Sequence, residues 1–181
     1  LAGAMSVLGV RHHLLGSDGP HPTSYRDSGM AGSAAATHPR AWVSAAPAEG
    51  VAAVRAVLER VGPDVVVTYD ATGGYEHPDH VATHVATCRA VATATVRPRV
   101  FAALTPLSWA REDRAWLAEH VPAEGGWVVP GPEDPFASSV VPDHVVTHHV
   151  VDPAVLALQH RALREHETQV VVGEGWFALS N

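Results

Sequence analysis

Two histidines and an aspartate lie within four positions of each other in residues 68–80, TYDATGGYEHPDH. His77 and His80 are three residues apart, so both can face one pocket at the start of a helix. Two imidazoles beside the Asp79 carboxylate suit zinc, which binds histidine nitrogen at about 2.0–2.1 Å. Asp79 would then fix the tautomer of an imidazole. The alternative is a helix-capping cluster, because H-x-x-H pairs also arise by chance among 13 histidines.

Other residues are weaker candidates for chemistry. His84 follows His80 by four residues, the spacing of the H-E-x-x-H metalloprotease helix, but no glutamate stands between them as a base. We therefore expect His84 to lie on a helix face without a catalytic role. Ser28 has a glycine neighbour but lacks the G-x-S-x-G frame of a serine nucleophile. Adjacent side chains on a strand point to opposite faces, so only one histidine of each presumed strand pair, His12–His13 and His148–His149, could reach a pocket. For His160 and His166, on an amphipathic helix, solvation is the default.

The candidate site lies between a predicted strand and a predicted helix. Residues 64–69 form a continuous apolar run, which is typical of a strand buried on both faces in a parallel sheet. Gly73 and Gly74 allow a sharp turn, and Pro78 fits the first turn of a helix over residues 79–94. Sites in open α/β sheets gather at the carboxyl ends of such strands.

Helices and strands alternate along the rest of the chain. The spacing of apolar residues predicts helices over residues 1–8, 47–61, 106–121 and 153–167, the last with Asp152 as its N-cap. Apolar runs predict further strands over residues 10–15, 99–104, 145–151 and 170–172. Loops rich in glycine and proline fill residues 16–47 and 125–142. This alternation indicates a layered α/β fold, and with no repeat or linker we expect one domain over residues 1–181.

The overall composition argues against some classes of partner. The 181 residues are 46% hydrophobic, and a formal charge of −7 argues against a nucleic-acid partner. The single cysteine, Cys88, cannot form an internal disulfide, which favours a reducing, cytoplasmic location. No apolar run approaches the roughly 20 residues of a membrane helix. We therefore expect neither a nucleic-acid nor a membrane partner.

Several segments resemble one protein family. Residues 73–80, GGYEHPDH, resemble the second signature of the PIG-L/LmbE deacetylases. Residues 25–32, YRDSGMAG, residues 167–173, ETQVVVG, and residues 65–70, VVVTYD, resemble the branch of that family that acts in mycothiol biosynthesis. The resemblance implies a Rossmann-like α/β domain with a mostly parallel sheet. It also implies hydrolysis of the N-acetyl group of N-acetyl-glucosaminyl-inositol, an amino-sugar substrate, with release of acetate.

The resemblance also implies roles for individual residues. His80 matches a zinc ligand of the family, with Zn²⁺ the expected metal and Fe²⁺ possible. His77 matches the histidine that stabilises the tetrahedral oxyanion or serves as acid, and Asp79 matches its neighbouring carboxylate. Tyr75 matches the tyrosine that polarises the substrate carbonyl. Asp27 matches an aspartate that binds the sugar.

One part of the family pattern is absent from the sequence. The family takes a further histidine and aspartate for zinc from an N-terminal A-H-P-D-D-E motif, whose middle aspartate is the general base. The nearest string here, residues 37–40, THPR, has arginine where the acids should stand. We therefore expect a truncated chain that lacks the N-terminal strand and its metal-binding loop. Alone, such a fragment should be inactive.

Two alternatives remain from the sequence. The amidase that cleaves mycothiol S-conjugates shares the GGY-x-HPDH segment, although the loop at residues 26–32 favours the deacetylase. A second alternative is a non-catalytic module that only binds sugars.

Overall fold

A computed structural model of the protein describes residues 1–15, 25–122 and 126–179. Its residues group into two compact units. One unit is built from Leu14–Leu107 and Pro135–Val146, and the other from Leu1–His13, Ser108–Asp134 and Thr147–Asn181. The expected single domain over residues 1–181 stays a prediction. Within the described part of the chain, no helix combines the length and apolar character needed to cross a membrane.

The unit that carries the candidate site is built on two helices and a parallel strand pair. Helix α2 (Pro47–Val61) begins with proline in its first turn and ends at Gly62, whose φ of 60° is left-handed. Strand β1 (Val65–Tyr69) pairs in parallel with β2 (Arg99–Ala103), with Val65 opposite Arg99. Helix α4 (Pro78–Thr93) lies between them in sequence and packs against both α2 and β1. This arrangement confirms the predicted α/β class with parallel strands.

The core of this unit lies between α2, α4 and β1. Leu58, Ala90 and Ala94 are its buried residues, with Val66 among the valines packed against them. The other face of β1 exposes Val67, at 68% of its surface. The expected burial of β1 on both faces is therefore wrong for the described residues, because helix packing covers only one face of the strand.

Irregular segments complete this unit. Two short 3₁₀ turns, Ala35–Thr37 and Trp42–Ser44, interrupt the long loop before α2, and a single parallel bridge joins Arg26 to Ala41. Residues 16–24 of this predicted loop lie outside the described residues. Strand β3 (Thr105–Pro106) pairs in parallel with β4 (Val140–Val141). A four-residue helical turn, α3 (Gly73–Glu76), links β1 to α4.

The second unit contains helices α1 (Ala2–Leu8) and α6 (Pro153–Arg164), most of α5 (Leu107–His120), and an antiparallel pair formed by β5 (Val170–Val172) and β6 (Phe177–Leu179). Helix α6 packs against α1 and β5. The Asp152 side chain accepts a hydrogen bond from the N–H of Ala154, which confirms the predicted N-cap. The sequence did not predict β6.

Two predicted strands are wrong. Residues 10–15 have no regular structure, and residues 145–151 begin at the end of a 3₁₀ turn (Asp143–Val145) and continue without strand pairing. Val150 is 90% exposed. Apolar β-branched residues favour extended backbone, but a strand also needs a hydrogen-bonded neighbour, and the described residues provide none there.

Candidate metal and catalytic site

The site is built on the turn that follows β1. Gly73, Gly74 and Glu76 all have left-handed φ angles, of 69°, 79° and 67°. A Cβ on Gly73 would lie 2.8 Å from the backbone N of Val81 and 3.0 Å from Cβ of His80. The turn therefore lies directly against the first turn of α4 and needs glycine there. Glu76, which has a side chain, holds a backbone conformation that costs about 1–2 kcal/mol.

His77 caps the N-terminus of α4. Its side chain is largely buried, and its Nδ1 accepts a hydrogen bond of 3.2 Å from the backbone N–H of Asp79. An imidazole nitrogen that accepts carries no proton, so the proton of neutral His77 lies on Nε2. That Nε2 is 3.8 Å from Oδ1 of Asp27. His77 therefore presents an N–H donor to the site.

His80 has the opposite tautomer. Its Nδ1 lies 3.1 Å from the carbonyl oxygen of Gly73, and because a carbonyl only accepts, Nδ1 must carry the proton. The lone pair is therefore on Nε2. A histidine whose other nitrogen donates to a backbone carbonyl is the usual form of a metal ligand.

Tyr69 and Tyr75 frame the two imidazoles. The ring of Tyr69 stacks on His80 with centroids 3.9 Å apart and planes 4° apart. Burial raises the pKa of the Tyr69 hydroxyl above its usual range, and the neighbouring Tyr75 adds to this effect. The ring of Tyr75 meets His77 and His80 edge to face, at centroid distances of 5.8 and 5.2 Å. The structure thus brings Tyr75 next to both histidines.

The carboxylate of Asp79 binds the backbone of the loop before α2, a contact that the sequence did not predict. Its Oδ2 accepts a hydrogen bond of 2.9 Å from the backbone N–H of Ser28, a fully buried residue. The tautomer of His77 is fixed by the backbone N–H of Asp79, so the expectation that the Asp79 side chain does so needs correction. Oδ1 of Asp79 is buried and has no hydrogen-bond partner among the described residues.

Asp27 reaches the site from the long loop before α2. Its Oδ1 accepts a hydrogen bond of 2.6 Å from the N–H of Gly29, and its side chain is 80% exposed. Asp27 therefore both caps a tight turn and presents carboxylate to solvent beside His77. This position next to an open face is compatible with contact to a bound ligand.

A group of possible metal ligands includes Asp27, His77 and Asp79, whose donor atoms all lie within 4.8 Å of one another. The hydrogen bonds argue for a different nitrogen donor. Nε2 of His77 holds a proton as long as Nδ1 caps α4, whereas Nε2 of His80 offers a lone pair. The buried, unpartnered Oδ1 of Asp79 also suits a cation. The carboxylates of this group suit a divalent metal, and the expectation that His80 is its nitrogen ligand stays a prediction, since His80 is not a member of the group.

His84 lies outside this group. Its Nδ1 is 2.7 Å from the carbonyl oxygen of Tyr69, so it donates there, and Cys88 Sγ lies 3.7 Å from its Nε2. Sequence reasoning missed Ser28, whose N–H binds Asp79, and Asp70, whose carboxylate accepts a hydrogen bond from the N–H of Gly74 in the turn. Ser28 was considered only as a nucleophile, and a backbone N–H that binds Asp79 leaves no signature in residue type. Asp70 could have been found from its position, because it directly follows the carboxyl end of β1.

The chain is similar in sequence to known proteins. The family model described as PIG-L: GlcNAc-PI de-N-acetylase matches residues 1–91. Proteins named 1D-myo-inositol 2-acetamido-2-deoxy-alpha-D-glucopyranoside deacetylase are similar to the whole chain. Those of Actinosynnema mirum and Acidothermus cellulolyticus are each 40% identical to it, over 187 and 184 residues. All of the chain aligns in both cases, with 63% and 61% of the relatives. The chain therefore spans about three fifths of the length of these curated relatives.

Proposed function

The chain belongs to the PIG-L family, and from this premise we propose that the whole protein is a zinc-dependent N-deacetylase. Its proposed substrate is 1D-myo-inositol 2-acetamido-2-deoxy-α-D-glucopyranoside, the compound in the names of the relatives. The products would be the free amine and acetate. The observation that carries this proposal is the pair of opposite tautomers at His77 and His80. One imidazole presents an N–H and the other a lone pair, as a hydrogen-bond donor to an oxyanion and a metal ligand require.

His80 would hold the metal through Nε2, with its ring oriented by the Gly73 carbonyl and the stacked ring of Tyr69. A zinc ion held there would supply a Lewis acid and would lower the pKa of bound water towards about 7. Zinc is proposed because it accepts nitrogen and oxygen donors together.

The other residues would act on the acetamide and the sugar. The Nε2–H of His77 would donate a hydrogen bond to the carbonyl oxygen as that atom gains negative charge. The hydroxyl of Tyr75, on the exposed side of both histidines, would donate a second hydrogen bond to the same oxygen. Asp27 would accept hydrogen bonds from sugar hydroxyls. Asp79 would keep His77 in the donor tautomer and the Asp27 loop in place.

The test is turnover by the whole protein, loaded with one equivalent of zinc. We expect release of acetate and of a primary amine in equal amounts, loss of both on chelation, and recovery on addition of zinc. A mycothiol S-conjugate should be cleaved far more slowly. Preferred cleavage of the conjugate would assign the protein to the amidase activity, and binding without turnover of either compound would contradict a catalytic function.

A further inference from the structure

The geometry points to Asp70 as the positioning residue that holds His80 in its ligand tautomer, an inference that rests on the proposed function. Asp70 follows the last residue of β1, and only 7% of its surface is exposed. A buried carboxylate is costly unless its oxygens are hydrogen-bonded. The partners of this carboxylate therefore indicate what it is there to hold.

Asp70 binds the turn that carries the acceptor of His80. Its Oδ1 accepts a hydrogen bond of 2.8 Å from the backbone N–H of Gly74. The hydroxyl of Thr72 lies 3.0 and 2.9 Å from the two carboxylate oxygens and donates to them. The backbone carbonyl of Asp70 also accepts from the N–H of Gly73 at 3.1 Å. Asp70 thus holds the N–H of the peptide unit between Gly73 and Gly74, and also the N–H of the preceding peptide unit.

That peptide unit supplies the carbonyl to which His80 donates. The Gly73 oxygen and the Gly74 nitrogen belong to one rigid amide plane. A hydrogen bond that fixes the N–H end of this plane therefore fixes the direction of its C=O end, which lies 3.1 Å from Nδ1 of His80. The relay runs from the Asp70 carboxylate through one peptide group to the imidazole.

The turn needs such a tether because its backbone is otherwise unfavourable. Left-handed φ angles occur at Gly73, Gly74 and Glu76 within four residues. The opposite side of the turn is tied to residues 138–139: the carbonyl of Gly74 accepts from the N–H of Ser139, and Oε1 of Glu76 accepts from the hydroxyl of Ser138, each at 2.8 Å. Asp70 holds the other side of the turn through its hydrogen bond with the N–H of Gly74.

The experiment compares variants of the whole protein, metal-free and titrated with zinc. Asp70→Ala should weaken zinc affinity about 10- to 100-fold, the usual effect of losing a group that orients a metal ligand. In the metal-free protein, the ring-nitrogen NMR signals of His80 should change from Nδ1–H alone to a mixture of tautomers. Asp70→Asn keeps an acceptor for the Gly74 N–H, so zinc affinity should stay within about threefold of wild type. Asp64→Ala, at the exposed opposite end of the same strand, is the matched control and should change neither measurement.

Two results would overturn this inference. The first is a folded Asp70→Ala protein that keeps wild-type zinc affinity and the Nδ1–H tautomer of His80. The second, decisive where the alanine variant does not fold, is a folded Asp70→Asn protein whose zinc affinity falls tenfold or more. Neither measurement needs substrate, so failure of the proposed deacetylation would be recognised separately, as absence of acetate release by the wild type.

Discussion

The backbone N–H of Asp79 donates to Nδ1 of His77, and this bond leaves the imidazole proton on Nε2. His80, the residue after Asp79, carries its proton on Nδ1 and donates a hydrogen bond to the Gly73 carbonyl. The rings lie close together, with centroids 4.6 Å apart. Two neighbouring histidines are thereby given different chemical properties by backbone groups alone.

This difference predicts that His80→Ala and His77→Ala fail in different ways in the whole protein. Removal of His80 takes away a ligand, so bound zinc and activity should fall together. Removal of His77 should leave zinc content near one equivalent and lower kcat about 10²- to 10³-fold, as expected for a donor that acts in the transition state. Metal analysis alongside steady-state kinetics measures both effects.

His84→Ala is the control for these variants because it removes a histidine one turn further along α4. It should keep both zinc and activity within about threefold, since the proposed site does not use His84. Equal loss of zinc in the His77 and His80 variants would mean that His77 is a ligand. In that case the metal-ligand group formed by Asp27, His77 and Asp79 would be the better description.

Asp27→Ala should separate recognition of the sugar from chemistry. Each lost hydrogen bond to the carboxylate is worth roughly 1.5–3 kcal/mol, or about 10- to 150-fold in kcat/KM for the glucosaminyl-inositol substrate. A minimal N-acetyl sugar, which offers fewer hydroxyls, should lose far less, and zinc content should not change. The measurement is kcat/KM for both substrates.

Asp27→Asn is the matched control, because Asp27 also caps the turn at Gly29. Asparagine keeps an acceptor for that N–H while it removes the charge. If asparagine restored full activity, the loss in the alanine variant would come from the turn. Equal losses on the two substrates, or loss of zinc, would contradict a role in sugar recognition.

The local part of the site could be predicted from the sequence, and the long-range part could not. Tyr75, His77 and His80 lie within six consecutive residues, so a turn followed by a helix brings them together. The contact between Ser28 and Asp79 joins residues 51 positions apart through a backbone N–H, which any residue type could supply. Asp27, which lies beside His77, directly precedes Ser28 in the chain. For this reason only the family resemblance, and no spacing argument, assigned Asp27 to the site.

Ser28→Ala should destabilise the fold through the loop that carries Asp27. Ser28 is fully buried, and its Oγ accepts a hydrogen bond of 3.1 Å from the N–H of Val43. Alanine would remove the acceptor of that partly buried hydrogen bond, at a cost of about 0.5–1.5 kcal/mol in the free energy of unfolding. Urea denaturation measures this difference. Thr37→Ala removes an exposed hydroxyl from the same loop and should cost much less; equal effects would show that the burial of Ser28 has no energetic consequence.

The pH dependence of stability should report on the contact between Glu59 and Thr95. The hydroxyl and the backbone N–H of Thr95 both donate to the Glu59 carboxylate, and these hydrogen bonds lower its pKa in the folded state, with smaller help from Arg55 and Arg97. A carboxyl group whose pKa is lowered on folding stabilises the fold above its unfolded pKa of about 4.3. That contribution is lost as the pH falls through the lower, folded pKa.

Urea denaturation of wild type and Glu59→Gln should therefore differ most near neutral pH. The difference should shrink as the pH is lowered below about 4, because the wild-type carboxyl then takes up its proton and comes to resemble the neutral glutamine. Glu119→Gln, which replaces an exposed glutamate on α5, is the control and should parallel wild type throughout. A Glu59→Gln difference that stayed constant from neutral to acid pH would show that the contact with Thr95 does not depend on the charge of Glu59.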